Sequence, residues 1–494
     1  MSAATDVAIA GGGLAGMSAA VALAAAGYRV TLLEKRAALG GRAGSYLEPG
    51  TGEWIDNCQH VLMPCCTNLL DFYERIGVRE KIRFHAEIPF LDAGGRLSVL
   101  RSSILPAPFH CAPSFLRLRF LSTGDKLRVA RGLSALMMLA ARGAPPAGTA
   151  LDWFRAHGQS DTTVARFWEL VLVSALNENL ERASLGYAAK VFLEAFLAHP
   201  RGWWLGVPTC PLGELYDEPV ARFLRERGGE LRLRTTVERV VASGGRLELE
   251  LSGGERLPAE RVVVAVPWRA AASVLPPELP ERLRASLREG FQPSPITGIH
   301  LWFDRPVTQL DFAALPGKQV QWFFNKSRNY GAGGGYLQLV TSASRSWMEL
   351  TKAQVMEIAL AELRDVLPEV RSAQLVEALV LKEPAATWSP TVEAERLRPG
   401  ARTPIANLFL AGDWIRTGWP ATMEGAVRGG YLAAEAVLQA DGRPAKVRAA
   451  DLAPAGLMRF AGRLSLPENV VDDAPAPNRD SAKANAKTPR RQEN

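Results

Sequence analysis

The chain opens on an unbroken apolar run, Val7-Ala8-Ile9-Ala10, the pattern of a strand buried on both faces. A glycine-rich turn, Gly11-Gly12-Gly13-Leu14-Ala15-Gly16, follows at once, and residues 14–26 read as an alanine-rich helix that Gly27 stops. A second apolar strand over residues 29–33 ends on Glu34. Buried-strand patterns recur far downstream, at Val262-Val263-Val264-Ala265-Val266-Pro267 and at Asn407-Leu408-Phe409-Leu410-Ala411-Gly412-Asp413. The latter leads through Gly418-Trp419-Pro420-Ala421-Thr422-Met423-Glu424-Gly425-Ala426 into a second alanine-rich helix that reaches about residue 438. Residues 298–303 and 336–341 predict further strands, residues 352–367 a helix, and residues 167–176 the apolar face of another.

Chemistry attaches first to the opening unit, where GxGxxG falls at positions 11, 13 and 16 and Glu34 lies 23 residues after Gly11. Gly11 permits the tight turn, Gly13 lets the backbone approach a pyrophosphate without a Cβ in the way, and Gly16 lets helix and strand pack closely. The helix start, with Leu14 and Ala15 in its first turn, offers unpaired N–H groups and positive dipole density to phosphates. Glu34, followed by Lys35, is placed for the ribose hydroxyls of an adenosine half, and a carboxylate there disfavours a 2′-phosphate. A glycine-rich turn alone is a weak signal; the whole strand–turn–helix–strand–acid unit predicts dinucleotide binding. The loop Leu39-Gly40-Gly41-Arg42 can lay its backbone on the diphosphate, with Arg42 supplying charge. Gly412 and Asp413 are placed for ribityl or phosphate-proximal hydroxyls. Thr422-Met423-Glu424 would face the N1–C2=O edge of an isoalloxazine, where negative charge accumulates on reduction.

Composition bounds the rest. The 494 residues exceed one ordinary core, and 47% apolar against 22% charged residues is a globular balance. A formal charge of +7 is weak support for nucleic acid and better support for an anionic surface. The five cysteines, Cys58, Cys65, Cys66, Cys111 and Cys210, have no CxxC spacing, so neither a zinc site nor a disulfide framework is expected. No basic leader precedes the first strand, and the expectation is a cytoplasmic protein with reduced thiols, at most at the inner face of the membrane.

Taken together, the two glycine loops, the late Ala411-Gly412-Asp413 segment and the central Arg234-Thr235-Thr236-Val237-Glu238-Arg239-Val240 stretch resemble the amine oxidase and phytoene desaturase superfamily of flavoproteins. That resemblance implies FAD, with the Val237 backbone at the adenine. Within it, Asp56-Asn57-Cys58-Gln59-His60-Val61-Leu62, Trp168-Glu169, Ala175-Leu176-Asn177, Pro211-Leu212-Gly213-Glu214-Leu215 and Leu301-Trp302-Phe303-Asp304-Arg305-Pro306 resemble the hydroxysqualene dehydroxylases. Cys58 stands where that group is expected to carry glycine, and Trp388-Ser389 replaces a less bulky stretch. The implied reaction removes the hydroxyl of an allylic triterpenoid alcohol in hopanoid-type lipid synthesis, with hydride from reduced flavin. Hydroxide leaves poorly, so a general acid is required; His60 and Glu178 are the candidates, each weighed against a structural role. Asn57, Asn177, Trp388 and Trp419 are expected at the substrate pocket. An oxidative phytoene-type desaturase, an amine oxidase and a non-catalytic prenyl-lipid escort remain as alternatives. With one GxGxxG unit, a reductase must take its electrons from NAD(P)H docking near the flavin or from a carrier protein.

The expected fold is α/β: a Rossmann-type FAD domain built from residues 1–85, 212–296 and 400–442. It wraps an α+β substrate domain with a largely helical part, 86–211, and an antiparallel sheet part, 297–399. Residues 443–494 form an extension, disordered from about 471. Residues 101–142 carry seven basic side chains against the single acid Asp125, interleaved with Ile104, Phe109, Phe115, Phe120 and Met137. That pattern suits peripheral contact with an anionic bilayer, and equally a lid helix whose cations face water.

Overall fold

Parallel strands from three distant stretches of chain share one sheet in the computed structural model. It describes residues 5–460 except 144–145, 244–245 and 332. The tail expected to be disordered lies outside these residues. Val7 to Ala10 are fully buried because their strand, Thr5–Ala10, is central. Val30–Leu33 runs parallel on one side and the second half of Arg256–Val264 on the other. Glu230–Arg232 and Leu408–Leu410 extend the sheet at the two ends, also parallel. The first half of Arg256–Val264 pairs antiparallel with Arg246–Leu251, and that strand with Val237–Ser243.

Two helices cover this sheet and also touch each other. Leu14–Ala25 and Met423–Ala440 consist largely of small residues, which lets their backbones meet. A Cβ on Gly430 would lie 2.1 Å from Ser18 Oγ and 2.2 Å from the Ala15 carbonyl oxygen. Glycine is therefore required at the crossing, where any side chain would push the helices apart.

A second seven-stranded sheet begins with Leu375–Trp388, beside Pro293–Phe303, then Gly335–Ser342, Trp322–Asn325 and Phe312–Ala314. It is completed by Glu87–Leu91 and Leu97–Arg101, so residues 86–211 supply strands as well as helices. Neighbours are antiparallel except where Phe312–Ala314 meets Glu87–Leu91. The helical layer includes Thr123–Ala141, opened by a Ser122/Asp125 capping box, and Glu169–Leu176. It also includes Leu185–Lys190, which runs on directly as one π-helical stretch, Val191–Leu197.

Polar groups are buried between the sheets. Asp56 and Lys326, each about 1% exposed, form an ion pair of 2.9 Å. Asp56 also accepts from Tyr330, Ser45 and the Leu212 N–H. Burial alone would raise its carboxyl, but the Lys326 charge and these bonds outweigh it and hold the group below the ordinary range. His300 is fully buried; its Nδ1 pairs with the Tyr336 hydroxyl at 2.7 Å and its Nε2 with the Gln338 amide at 3.3 Å. Burial first, then the Lys326 charge, pushes its imidazole down to about 3.

That shift sets a sign for acid stability. Unfolded His300 binds a proton at a higher pH than folded His300, so its contribution is complete above about pH 6.5 and is lost as pH falls. Between pH 6 and 4 this group should lower unfolding free energy by roughly 1 kcal/mol per unit. Urea unfolding of wild type and His300→Gln at several pH values should show the shallower dependence in the variant; equal slopes would contradict the assignment.

Candidate functional site

The turn after the first strand is built for close approach. Gly11 has φ 110°, and a Cβ there would lie 2.8 Å from the Ala265 carbonyl oxygen; one on Gly16 would lie 1.8 Å from the Gly11 oxygen. Those two glycines serve the fold. Gly13 is different: a Cβ there would meet no protein atom within 4 Å, so its freedom matters only to what enters the groove. The second glycine loop backs onto the first, with Gly40 N–H donating to the Gly12 carbonyl at 3.0 Å and Gly41 held at φ 60°. Glu34 closes this end. Its Oε2 accepts the Gly12 N–H at 2.7 Å and its Oε1 the Arg36 N–H at 2.9 Å, which leaves lone pairs on both oxygens for ribose hydroxyls. On the far side Arg42 pairs with buried Asp413 at 2.7 Å and donates to the Ala386 carbonyl at 3.1 Å. The resulting cavity, about 380 Å³, is lined by Gly13, Leu14, Ala15, Arg42, Asp413 and Met423 among others.

Several expected residues stand elsewhere or act otherwise. Glu424 borders the cavity, yet both carboxylate oxygens are turned to the start of the Thr67–Arg75 helix. They accept from Asn68 N–H and side chain, Leu69 N–H and Arg428 Nε at 2.7–3.2 Å. Thr422 caps the last helix by accepting the Gly425 N–H at 3.1 Å. Neither Val237 nor Glu34 is part of the cavity lining; Val237 lies two residues after Thr235, whose N–H donates to the Glu34 carbonyl. Lys35 is exposed.

Glu178 is not placed to be a catalytic acid. It is fully buried, lines neither of the two cavities described here, and is gripped by Arg345 through two bonds of 2.5 and 2.7 Å, with Ser389 and the Asn179 N–H adding to them. Trp388 likewise does not line the pocket: it is buried behind it, donating to the Asp413 carbonyl at 3.2 Å, with the Arg398 guanidinium 4.9 Å from its ring centroid. Asn177 reaches the cavity, but its amide ties Thr387, the Ser294 carbonyl and the Ala343 N–H together. Asn57, Trp419 and His60 do line it. His60 Nδ1 donates to the Cys58 carbonyl at 2.8 Å, and burial lowers its pKa. A neutral ring with its proton on Nδ1 presents Nε2 as an acceptor, so His60 is poorly equipped to be the acid.

A second cavity of about 380 Å³ meets the first at Cys58, Gln59, Val61, Met63, Ala175 and Val191. Its walls are almost wholly apolar, including Phe90, Phe115, Phe120, Phe167, Phe192 and Leu205. It reaches the surface beside Phe109, Ala130 and Ser134, which are exposed. The π-helical stretch forms the partition: Phe192, Phe196 and Leu197 face the apolar chamber, Glu194 and Ala195 face the groove, and Val191 touches both. Just before it stands Lys190, buried, its Nζ 2.6 Å from Glu194 Oε1 and 4.8 Å from the Trp419 ring centroid. Neither charge was anticipated. The signal was present, since a lysine and a glutamate four apart interrupt an otherwise apolar helix, Ala188-Ala189-Lys190-Val191-Phe192-Leu193-Glu194-Ala195.

Comparison with known proteins agrees with this geometry. Residues 14–438 match the model of the flavin containing amine oxidoreductase family. The 15-cis-phytoene desaturase of Solanum lycopersicum is 25% identical over 455 residues, 88% of this chain and 78% of its own. The hydroxysqualene dehydroxylase of Sinorhizobium fredii is 29% identical over 452 residues, 88% of this chain and 98% of its own. Among solved structures, an oxidoreductase from Methanosarcina mazei superposes with a TM-score of 0.67 at 17% identity, over 88% of this chain and all of that one. Putrescine oxidase bound to putrescine gives the same TM-score and identity, over 88% and 99%.

The groove fits FAD: glycines stand where a diphosphate passes, an acid where a ribose ends, and a cradle lies at Gly13 that a Cβ would fill. Gly13→Ala should therefore fold with wild-type melting behaviour but lose its yellow colour, with FAD affinity down at least about tenfold. Gly16→Ala should instead cost stability, roughly 1–3 kcal/mol or more, whether or not FAD is present. Absorbance spectra and thermal melts of the two proteins check the contrast; a fully loaded Gly13→Ala would refute the placement.

Proposed function

Because the chain belongs to the flavin containing amine oxidoreductase family, and its cofactor is FAD, we propose that this oxidoreductase removes the hydroxyl of a long polyprenoid alcohol, hydroxysqualene, reductively. The observation that carries this reading is the apolar chamber opening directly onto the flavin groove. A chamber lined by phenylalanine, leucine and valine rewards hydrocarbon at about 25 cal/mol per Å² removed from water and penalises a stranded polar group. A small amine gains little there, whereas a polyprenoid can be dry along its length.

When bound, FAD supplies two-electron hydride chemistry. The chain does the rest. Gly13, Gly41 and Arg42 would border the FAD diphosphate, and Glu34 would take the adenosine end. Asp413, kept next to Arg42, is a fixed negative partner rather than a mobile one. Cys58, whose thiol burial pushes up to about 12, is an uncharged wall residue at the junction. The electrons come from NAD(P)H or a carrier protein reaching the groove.

The chamber mouth suits a substrate dissolved in lipid. Phe109 is 51% exposed beside the opening, and Ile104, Leu105, Leu116, Leu127 and Met138 are exposed on the same segments. Arg101, Arg117, Arg119, Arg128 and Arg131 are exposed among them. Among the described residues no helix is long and apolar enough to cross a membrane. Exposed apolar side chains with cations between them favour attachment to an anionic bilayer from one side.

Two measurements test the reading. Dithionite-reduced, anaerobic enzyme given hydroxysqualene should reoxidise its flavin and yield stoichiometric squalene. Reduced flavin persisting beside unchanged alcohol would reject it in favour of an oxidative desaturase, the activity that names the phytoene desaturases. Sedimentation with phosphatidylglycerol vesicles should recover the wild-type protein. The Phe109→Asp, Leu116→Asp double variant should bind at least about tenfold more weakly, since each apolar side chain contributes on the order of 1.5–3 kcal/mol when desolvated; equal binding would exclude this face.

A further inference from the structure

Reductive dehydroxylation needs a proton at the departing oxygen, and neither expected acid is suited to give it. The polar groups at the junction of groove and chamber narrow the choice. Gln59 is engaged at both ends, donating to the His60 carbonyl and accepting from Lys326. Ser174 donates to the Leu170 carbonyl and accepts from Trp322. His60 presents an acceptor. Glu383 also borders the groove, where its Oε1 accepts the Ala385 N–H in a half-buried bond at 3.2 Å. Lys190 and Glu194 also line the groove, and they flank Val191, which belongs to both cavities.

We propose that Lys190 is the proton donor to the leaving hydroxyl and that Glu194 positions it, a role that rests on the dehydroxylase reading above. Lys190 is buried, so its ammonium does not wander: one N–H is held by Glu194 at 2.6 Å and the head group lies over the Trp419 ring. An ammonium has three donors, so others remain for a hydroxyl. In the step, the allylic C–O bond breaks, the oxygen takes a proton from Lys190 Nζ and leaves as water, and the carbon takes a hydride. The two electrons come from reduced FAD, and Lys190 recovers its proton from solvent. Glu194 has a second function that follows from its charge. As the C–O bond breaks, positive charge spreads over the allylic carbons, and a carboxylate at the partition stabilises it where an isolated ammonium would oppose it. The pair is neutral as a whole, which limits the cost of keeping both charges beside an apolar chamber.

One helix serves both cavities because its two faces differ: Lys190 and Glu194, four residues apart, share the groove side, and Phe192 and Phe196, also four apart, share the chamber wall.

The test compares hydroxysqualene with the corresponding allylic chloride, whose halide leaves without a proton, in single turnovers of dithionite-reduced holoenzyme. Lys190→Met should slow the alcohol by about a hundredfold or more, the usual share of a general acid, and leave the chloride near the wild-type rate. Glu194→Gln should slow both, the alcohol more. Binding gives a second readout: quenching of tryptophan fluorescence in the oxidised holoenzyme should show wild type preferring hydroxysqualene to squalene. Lys190→Met should lose roughly tenfold of that preference, the worth of a bond to a charged donor. Equal losses on both substrates, or none on either, overturn the proton donor. A wild-type enzyme that reduces the chloride but not the alcohol also overturns it, while leaving hydride transfer to a polyprenoid standing. A wild type inert to both sinks the dehydroxylase reading and this role together.

Discussion

The contact on which the rest depends is the crossing of the two small-residue helices, Leu14–Ala25 and Met423–Ala440, some four hundred residues apart in sequence. Their closeness is a steric fact. Gly430 sits against Ser18 and Ala15, and Gly429 would drive a Cβ to 2.2 Å from the Gly412 carbonyl oxygen. One crossing thus fixes the first glycine turn, which follows the central strand, and the late Ala411-Gly412-Asp413 turn, which follows an outer strand. Their juxtaposition creates the groove. Arg42 and Asp413, drawn from the two ends of the chain, then meet across it at 2.7 Å.

Around that contact each buried charge is met by an opposite one. Asp56 is matched by Lys326, Glu178 by Arg345, Glu424 by Arg428, and Lys190 by Glu194. Desolvating one member alone would cost several kcal/mol; matched and hydrogen-bonded, the sets are tolerated. Three of them use their carboxylates fully within the protein. Glu424 borders the groove as well, but of these four pairs only Lys190 and Glu194 line it with both members, and this is the difference between a strut and a reagent.

How much of this could be read from sequence follows from the physical nature of each signal. The groove was legible because backbone geometry demands particular residues: Gly11 for its positive φ, Gly13 for approach, Gly16 for packing, Glu34 at the strand end. Such demands are local and survive as a motif. Glu178 and Trp388 misled because polarity and size are local, while the partner that neutralises a side chain is not. Arg345 lies 167 residues from Glu178, and Trp388 is enclosed by Tyr187 and Phe291. Lys190 and Glu194 were overlooked for the converse reason. A lysine–glutamate pair four apart normally marks a solvated helix face, and only the apolar company of this pair hinted otherwise.

The chamber adds a constraint that its chemistry alone imposes. A polyprenoid with one hydroxyl can slide along an apolar wall at little cost, since every register buries similar hydrocarbon. The hydroxyl breaks that degeneracy: stranded among Phe115, Phe120 and Phe167 it forfeits its hydrogen bonds, at about 1–3 kcal/mol, whereas at the partition it meets the proposed donor, Lys190. The distance from the mouth at Phe109 to Val191 therefore selects which carbon is presented to the groove. Selectivity for the position of the hydroxyl is then a property of chamber length.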